Sequence, residues 1–266
     1  MPDALFVIDG DTAVPSEFTR GPWDPNAMHG GPPSALLARA VERCDEGPTP
    51  FVARLTVELL RPVPLQPLTI TARTLRPGKL VHWVEATLHA GDQEVARAVG
   101  LRLRTVEDSV VAAPPVDALP PRDTGTKVDL DPQMVRGIGF WNANDLCIVS
   151  GQFGGAGPGG AWLRLKVPLV AGEEPTPAQR VAAAADFASG VGNPVDPMVA
   201  GAINADLTIA MHRALAGEWV GLDARAWADG QGTGLAEAVI FDDTGPIGRS
   251  LQSLIVRTAP GPGARR

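Results

Sequence analysis

The stretch VAAAADFASGVGN, residues 181–193, carries a single charge, Asp186. Aspartate is a poor helix former and is seldom buried without a partner. In a run of alanines that reads as buried helix, a lone carboxylate can orient a water molecule or accept its proton. The bland alternative is an Asp186 exposed at a frayed helix end. A second cluster, His29-Gly-Gly-Pro-Pro33, opens another helix. Gly30 and Gly31 permit close backbone approach, and N–H groups at a helix start can meet a developing negative charge. Equally, the two glycines only shape a tight turn. His29 positions a ligand, caps the helix or serves structure. Just upstream, Asp24-x-Asn26-x-x-His29 sets an acid near a histidine, a pairing suited to acid–base work. No Gly-x-Ser-x-Gly elbow occurs, so a serine nucleophile has little support.

The elements that must position these groups belong to a chain of 266 residues, 44% hydrophobic and 20% charged, with a net charge of −7. The acidic balance and the lack of a basic block argue against a general nucleic-acid binder. The start, MPDALFVIDGD, has no basic n-region, and no apolar run reaches the ~18 residues of a membrane span. Cys44 and Cys147 lie far apart and suggest neither a zinc site nor a disulfide framework. We therefore expect a cytoplasmic protein without a membrane span. With no metal-ligand cluster or phosphate loop visible, no cofactor is expected.

The Pro-rich segment VVAAPPVDALPPRDTG, residues 110–125, reads as a linker between halves of similar length. A shift of 152 positions lays RLTVELLRP (54–62) over DLTIAMHRA (206–214), and residues 70–79 and 84–103 over 222–231 and 236–255, without a gap. Leu55, Thr56, Arg61, Ala72, Arg73, Gly78, Glu85, Ala86 and Arg97 recur as Leu207, Thr208, Arg213, Ala224, Arg225, Gly230, Glu237, Ala238 and Arg249. The chain is thus a fused duplication, with repeats at 1–110 and 136–266 joined by a linker at 111–135. Each copy has a helix, PPSALLARAVERC (32–44) or TPAQRVAAAADFASG (176–190), followed by alternating strands. LFVID and EFTRGPW before the first helix, and DLCIVSG and AWLRLKVPL before the second, are also strand-like. Thr176-Pro-Ala-Gln179 has capping-box spacing. One apolar helix and a long antiparallel sheet per copy make an α+β fold in which the sheet wraps the helix.

These residues resemble the hot-dog fold, and the fused pair resembles the double-hot-dog acyl-CoA thioesterases of the thioesterase II, or TesB-like, group. GPWDPNAMHGGPPSALLARAVE (21–42) is similar to the family's N-terminal signature, and residues 217–257 to its C-terminal one. The resemblance implies hydrolysis of an acyl-CoA thioester by a water held by Asp186, Asn204 and Gln252. It also implies substrate binding at His29, Gly30 and Gly31. Well-known members carry threonine where Asn204 stands. In the repeat register Gln252 lies over Gly100 and Asn204 over Val52; extended to the helices, it puts Asp186 over Ser34, unless a gap intervenes. The polar set is concentrated in one copy, as a single active centre in a divergent pair would require.

Two alternatives stay open. The segment from Asp24 to His29 also resembles the acid–base motif of hydratase 2, an enoyl-CoA hydratase or dehydratase of the same fold. A non-catalytic acyl-CoA-binding protein is the other. Trp23, Trp141, Trp162 and Trp227 line an acyl tunnel or belong to the core. Arg61 and Arg213, at one place in both copies, favour a shared structural role over contact with a CoA phosphate. The expected partners are acyl-CoA and further copies of the chain, as a homo-oligomer.

Overall fold

The computed structural model describes residues 3–44, 51–106, 117–129, 137–152 and 154–258. The first half runs β1 (Phe6–Asp9), β2 (Thr12–Pro15), α1 (Gly31–Arg43), β3 (Phe51–Leu59), β4 (Leu68–Arg76), β5 (Val81–Ala90) and β6 (Gln93–Leu103). The second runs β7 (Thr126–Val128), β8 (Asn144–Ser150), β9 (Gly159–Leu165), α2 (Pro177–Ala185) and α3 (Ala188–Val191). It continues through β10 (Ala200–Asn204), β11 (Asp206–Met211), β12 (Val220–Ala228), β13 (Thr233–Asp242) and β14 (Gly245–Thr258). The strands form one 14-stranded sheet, ordered β1-β2-β4-β5-β6-β3-β11-β14-β13-β12-β9-β8-β7, with β10 also paired to β14.

The two halves meet along β3 and β11, where Thr56 faces Thr208, Leu55 faces Ile209 and Val57 faces Leu207. Each residue thus faces the repeat counterpart of a residue on its own strand, and a pseudo-twofold axis passes between Thr56 and Thr208. The repeat extends to cross-strand pairs. Arg73 lies 2.6 Å from Glu85 and Arg225 lies 3.3 Å from Glu237, at equivalent places in the two hairpins. Such exposed pairs contribute at most about 1 kcal/mol each, so they help specify register more than they stabilise the fold.

Helix α1 packs on β3, β4, β5 and β6 and runs beside α2. Leu36, Leu37 and Val41 are fully buried, each burial favouring the fold by about 1.5–3 kcal/mol. Pro32 and Pro33 sit in its first turn, where a missing N–H costs nothing. On β6, a Cβ added to Gly100 would lie 2.3 Å from Val41 Cγ1, so the helix approaches the sheet too closely for a side chain there. Helix α2 starts as its capping box requires: Thr176 Oγ1 accepts from Gln179 N–H at 3.3 Å, and Thr176 N–H donates to Gln179 Oε1 at 3.4 Å.

The helices are antiparallel. At one end a Cβ on Gly31 would lie 2.6 Å from Ala183 O. At the other, Glu42 accepts from Thr176 Oγ1–H at 2.8 Å and from Gln179 Nε2–H at 2.9 Å. Burial pushes the Glu42 carboxyl above the usual carboxylate range, offset only in part by these bonds and by Arg43 and Arg39. The folded chain therefore holds the Glu42 proton more tightly than the unfolded chain, so this group's contribution to stability falls as pH rises through that interval. Glu42→Gln removes the dependence. Its melting temperature relative to the parent is expected to climb as pH rises past the ordinary carboxylate range. Thermal melts at a series of pH values check this; a constant difference would show that burial does not raise the Glu42 carboxyl.

Four expectations need correction. Glu17–Thr19, within the strand-like EFTRGPW, is a 3-10 turn closed by Arg20 N–H on Glu17 O and by Thr19 Oγ1–H on Ser16 O. The second helix does not run unbroken from 176 to 190. It stops at Ala185, Phe187 N–H turns back to Ala184 O, and helix resumes at Ala188. Within the segment read as linker, residues 111–116 and 130–135 lie outside the described residues, but Thr126–Val128 is an edge strand on β8. Its approach is pinned by Trp162 Nε1–H on Pro120 O at 2.9 Å. Finally, Asp186 does not correspond to Ser34. By place in the packed helix pair its counterpart is Glu42. Each of these acids sits near one helix's C-terminus and meets the other helix's N-terminus.

Candidate active site

Asp186 is the C-cap of α2, and the antiparallel packing delivers it to the N-terminus of α1, whose N-cap is Gly30. A Cβ on Gly30 would lie 2.7 Å from both Asp186 carboxylate oxygens, so glycine is what allows the helix start to close on the acid. The positive end of the α1 dipole favours a carboxylate there. Asp186 is only 5% exposed, which is tolerable because its oxygens are well partnered.

Asp186 Oδ1 accepts from Asn204 Nδ2–H at 2.8 Å and from Gln252 Nε2–H at 3.2 Å. Asn204 ends β10, and its Nδ2 also donates to Asp206 O at 3.1 Å. Both amide hydrogens are thereby engaged, and Asn204 Oδ1 is the atom left to accept from a ligand. Gln252, on β14, is fully buried. Its Nε2 also donates to Asp186 O at 3.3 Å, and its Oε1 accepts from Ser189 N–H at 3.0 Å. Gln252 therefore ties Asp186 to the first turn of α3.

Asp186 Oδ2 lies 2.8 Å from His29 Nδ1, which is also 3.1 Å from Gly31 N. Nδ1 cannot accept from Gly31 N–H and donate to Asp186 at once. The shorter contact joins two atoms that both carry lone pairs, so one proton must lie between them. The imidazole is packed among Phe187, Phe140 and Trp141, with ring centroids 4.7, 5.1 and 5.9 Å away.

This constellation borders a cleft of about 600 Å³. Residues 21–30 and 59–63 of the first half and residues 186–205 and 255 of the second supply most of its wall, which is largely apolar. The acyl-CoA thioesterase N-terminal domain family matches residues 19–103, and the acyl-CoA thioesterase C-terminal domain family matches residues 111–256. This chain belongs to the acyl-CoA thioesterase family. The two matches cover the two halves that build the thioesterase cleft.

Among solved structures, the thioesterase is similar to an acyl-CoA thioesterase II from Mycobacterium marinum, with 17% identity and a TM-score of 0.65 over 96% of this chain and 95% of that one. It is similar to a hot-dog-fold protein from Alicyclobacillus acidocaldarius, with 15% identity and a TM-score of 0.72 over 97% of each chain. It is also similar to the dehydratase domain of PpsC from Mycobacterium tuberculosis, solved with C12:1-CoA, with 16% identity and a TM-score of 0.51 over 96% and 98%. At these identities the likeness is one of fold, and that fold is the hot dog. No curated protein matches the thioesterase by sequence. No helix among the described residues is long and apolar enough to cross a membrane.

The structure brings Asp186, Asn204, Gln252, His29, Gly30 and Gly31 of the thioesterase together. Asp24 is not part of this group; it is exposed, and its Oδ1 accepts from Asn26 N–H at 2.8 Å within its own turn. Of the four tryptophans, Trp23 and Trp141 line the cleft, whereas Trp162 packs in a separate cluster and Trp227 is exposed. Sequence reasoning missed Phe187 and Phe140, which box the imidazole. The Asp186-Phe187 step at a helix break was the available signal for the first; nothing in the sequence pointed to the second.

Proposed function

We propose that this cleft hydrolyses acyl-CoA thioesters with a water activated by Asp186. The observation that carries the reading is a buried carboxylate, tied by Asn204, Gln252 and His29, facing an apolar cleft between two acyl-CoA thioesterase domains. The water donates one hydrogen to Asp186 Oδ2 and the other to Asn204 Oδ1. As its oxygen bonds to the thioester carbon, Asp186 takes the proton. With the shared proton on His29 Nδ1, Gly31 N–H has no acceptor there, and it joins Gly30 N–H in meeting the oxyanion at the start of α1. Collapse breaks the C–S bond, the proton passes to the departing sulfur, and the products are a carboxylic acid and free CoA. Gln252 acts as a positioning residue, because it is buried behind Asp186. We infer further that residues 1–110 and 136–266, joined through 111–135, form a double hot dog with α1 and α2 as central helices.

One observation favours a second reading. A carboxylate and an imidazole 2.8 Å apart could also add water across, or remove it from, a carbon–carbon bond next to a thioester. Incubation with a saturated acyl-CoA and with a trans-2-enoyl-CoA separates the two. Hydrolysis gives free thiol from the saturated substrate in equal amount to acid. Loss of the enoyl absorbance with no thiol release would replace hydrolysis with hydration. A panel from acetyl to palmitoyl chains then defines the acyl group.

A further inference from the structure

Arg61 and Arg213 occupy the same place in the repeat, yet their surroundings differ. Arg213 Nη1 and Nη2 donate to the two carboxylate oxygens of Asp242 at 2.5 and 2.8 Å, and Nη2 also reaches Gly245 O at 3.0 Å. Asp242 accepts in addition from Ala216 N–H, Thr244 N–H and Thr244 Oγ1–H. Burial alone would raise this carboxyl, but Arg213 and the surrounding N–H and O–H donors outweigh it and hold the group well below the usual carboxylate range. Arg213 is thus locked in the turn between β13 and β14.

The equivalent turn of the first half, between β5 and β6, has Ala90 where the second has Asp242. Alanine cannot hold a guanidinium, and Arg61 has no ion pair among the described residues. The backbone has diverged as well. The bond that His212 N–H makes to Ile247 O at 2.9 Å is made in the first half by Arg61 N–H to Val95 O at 3.2 Å, one residue out of step. Arg61 is exposed, and among the described residues that line the cleft holding Asp186 it is the only lysine or arginine. On its other side it lines a shallow hollow shared with Asp92 and Glu94, whose carboxylates would repel an anion and so confine its seat to the cleft.

We propose that Arg61 binds the phosphate groups of the CoA moiety at the mouth of the cleft. Resting on the hydrolysis reading for its substrate, this assignment puts the polyanionic end in water and the thioester at the buried end. A planar guanidinium freed from its carboxylate suits phosphate, which it meets with two parallel N–H groups. Duplication thus left one arginine structural and released the other for binding.

The test compares an acyl-CoA with the N-acetylcysteamine thioester of the same acid, which lacks phosphate. In Arg61→Ala, the ratio of kcat/KM for acyl-CoA to that for the short thioester is expected to fall about tenfold, chiefly through KM. Arg61→Lys keeps part of the ratio, and added salt raises KM for acyl-CoA in the parent more than in Arg61→Ala. Dephospho-CoA thioesters show which phosphate is held: a loss that persists with them assigns the diphosphate, and one that vanishes assigns the 3′-phosphate. An unchanged ratio, whether both activities fall together or neither does, overturns the proposal. Calorimetric binding of CoA itself keeps the two readings apart. If no thioester is cleaved but CoA binds about tenfold more weakly to Arg61→Ala, hydrolysis fails and the phosphate site stands. Equal CoA binding by both chains rejects the site.

Discussion

Asp186→Asn is expected to lower kcat for acyl-CoA hydrolysis by about a hundredfold to ten-thousandfold, with KM little changed. The amide cannot take a proton from water, so the step that creates the nucleophile is lost. The substitution is nearly isosteric. With its oxygen in the place of Oδ1, the amide still accepts from Asn204 and Gln252. Its NH₂ then faces His29 Nδ1, which can accept. Stability is therefore expected to stay within about 1 kcal/mol of the parent. Thiol release at saturating substrate, alongside a thermal melt, measures both. A folded variant retaining more than about a tenth of the parent kcat would remove Asp186 from the proton transfer. A parent chain that binds acyl-CoA but cleaves none of a full chain-length panel would instead identify a binding protein.

The second large effect belongs to a residue with no side chain. In Gly30→Ala the new Cβ would lie 2.7 Å from each Asp186 oxygen and 2.9 Å from Cγ. A flexible side-chain end could yield, but this carboxylate is held by Asn204, Gln252 and His29. The start of α1 or the end of α2 must move instead. We expect a destabilisation of about 1–3 kcal/mol and a fall in kcat of about a hundredfold, the cost of displacing a catalytic group by roughly 1 Å. Gly230→Ala is the control, since a Cβ there meets nothing within 4 Å. Parent-like melting and turnover in Gly30→Ala would mean that α1 does not close on Asp186 as described.

Much of the fold was legible because its information is local and periodic. The strands of each half alternate at period two, and the duplication shows each pattern twice: the 152-position shift matched Arg73 and Glu85 with Arg225 and Glu237, which the structure pairs across equivalent hairpins. Thr176 and Gln179 announced the start of α2 through chemistry confined to one turn. Asp186 stood out because a charge among alanines needs a partner. Which partner was another matter. The same shift, carried past the strands, gave Ser34 as its counterpart, because the helices and the strands keep different offsets and the insertion between them leaves no periodic trace.

The rest depends on long-range packing. His29 and Asp186 meet because two helices run antiparallel, a choice made by a core shared between both halves and visible in neither helix alone. Gln252 was readable as a polar residue on the last strand. That its amide faces Ser189 and Asp186 rather than the cleft follows from where α3 lies on the sheet. Arg61 is the sharpest case. Ala90 and Asp242 are both plain in the sequence, and the paired arginines suggested one structural role. Only the hydrogen bonds of Arg213 reveal that Asp242 holds it, and hence what Ala90 leaves Arg61 without. By itself the sequence determined the repeat, the strands and the candidate acid, because periodicity and capping act over a few residues. Tertiary structure decided which distant groups share a proton and which of the two repeat arginines is held by a carboxylate, because those depend on contacts between residues far apart in the chain.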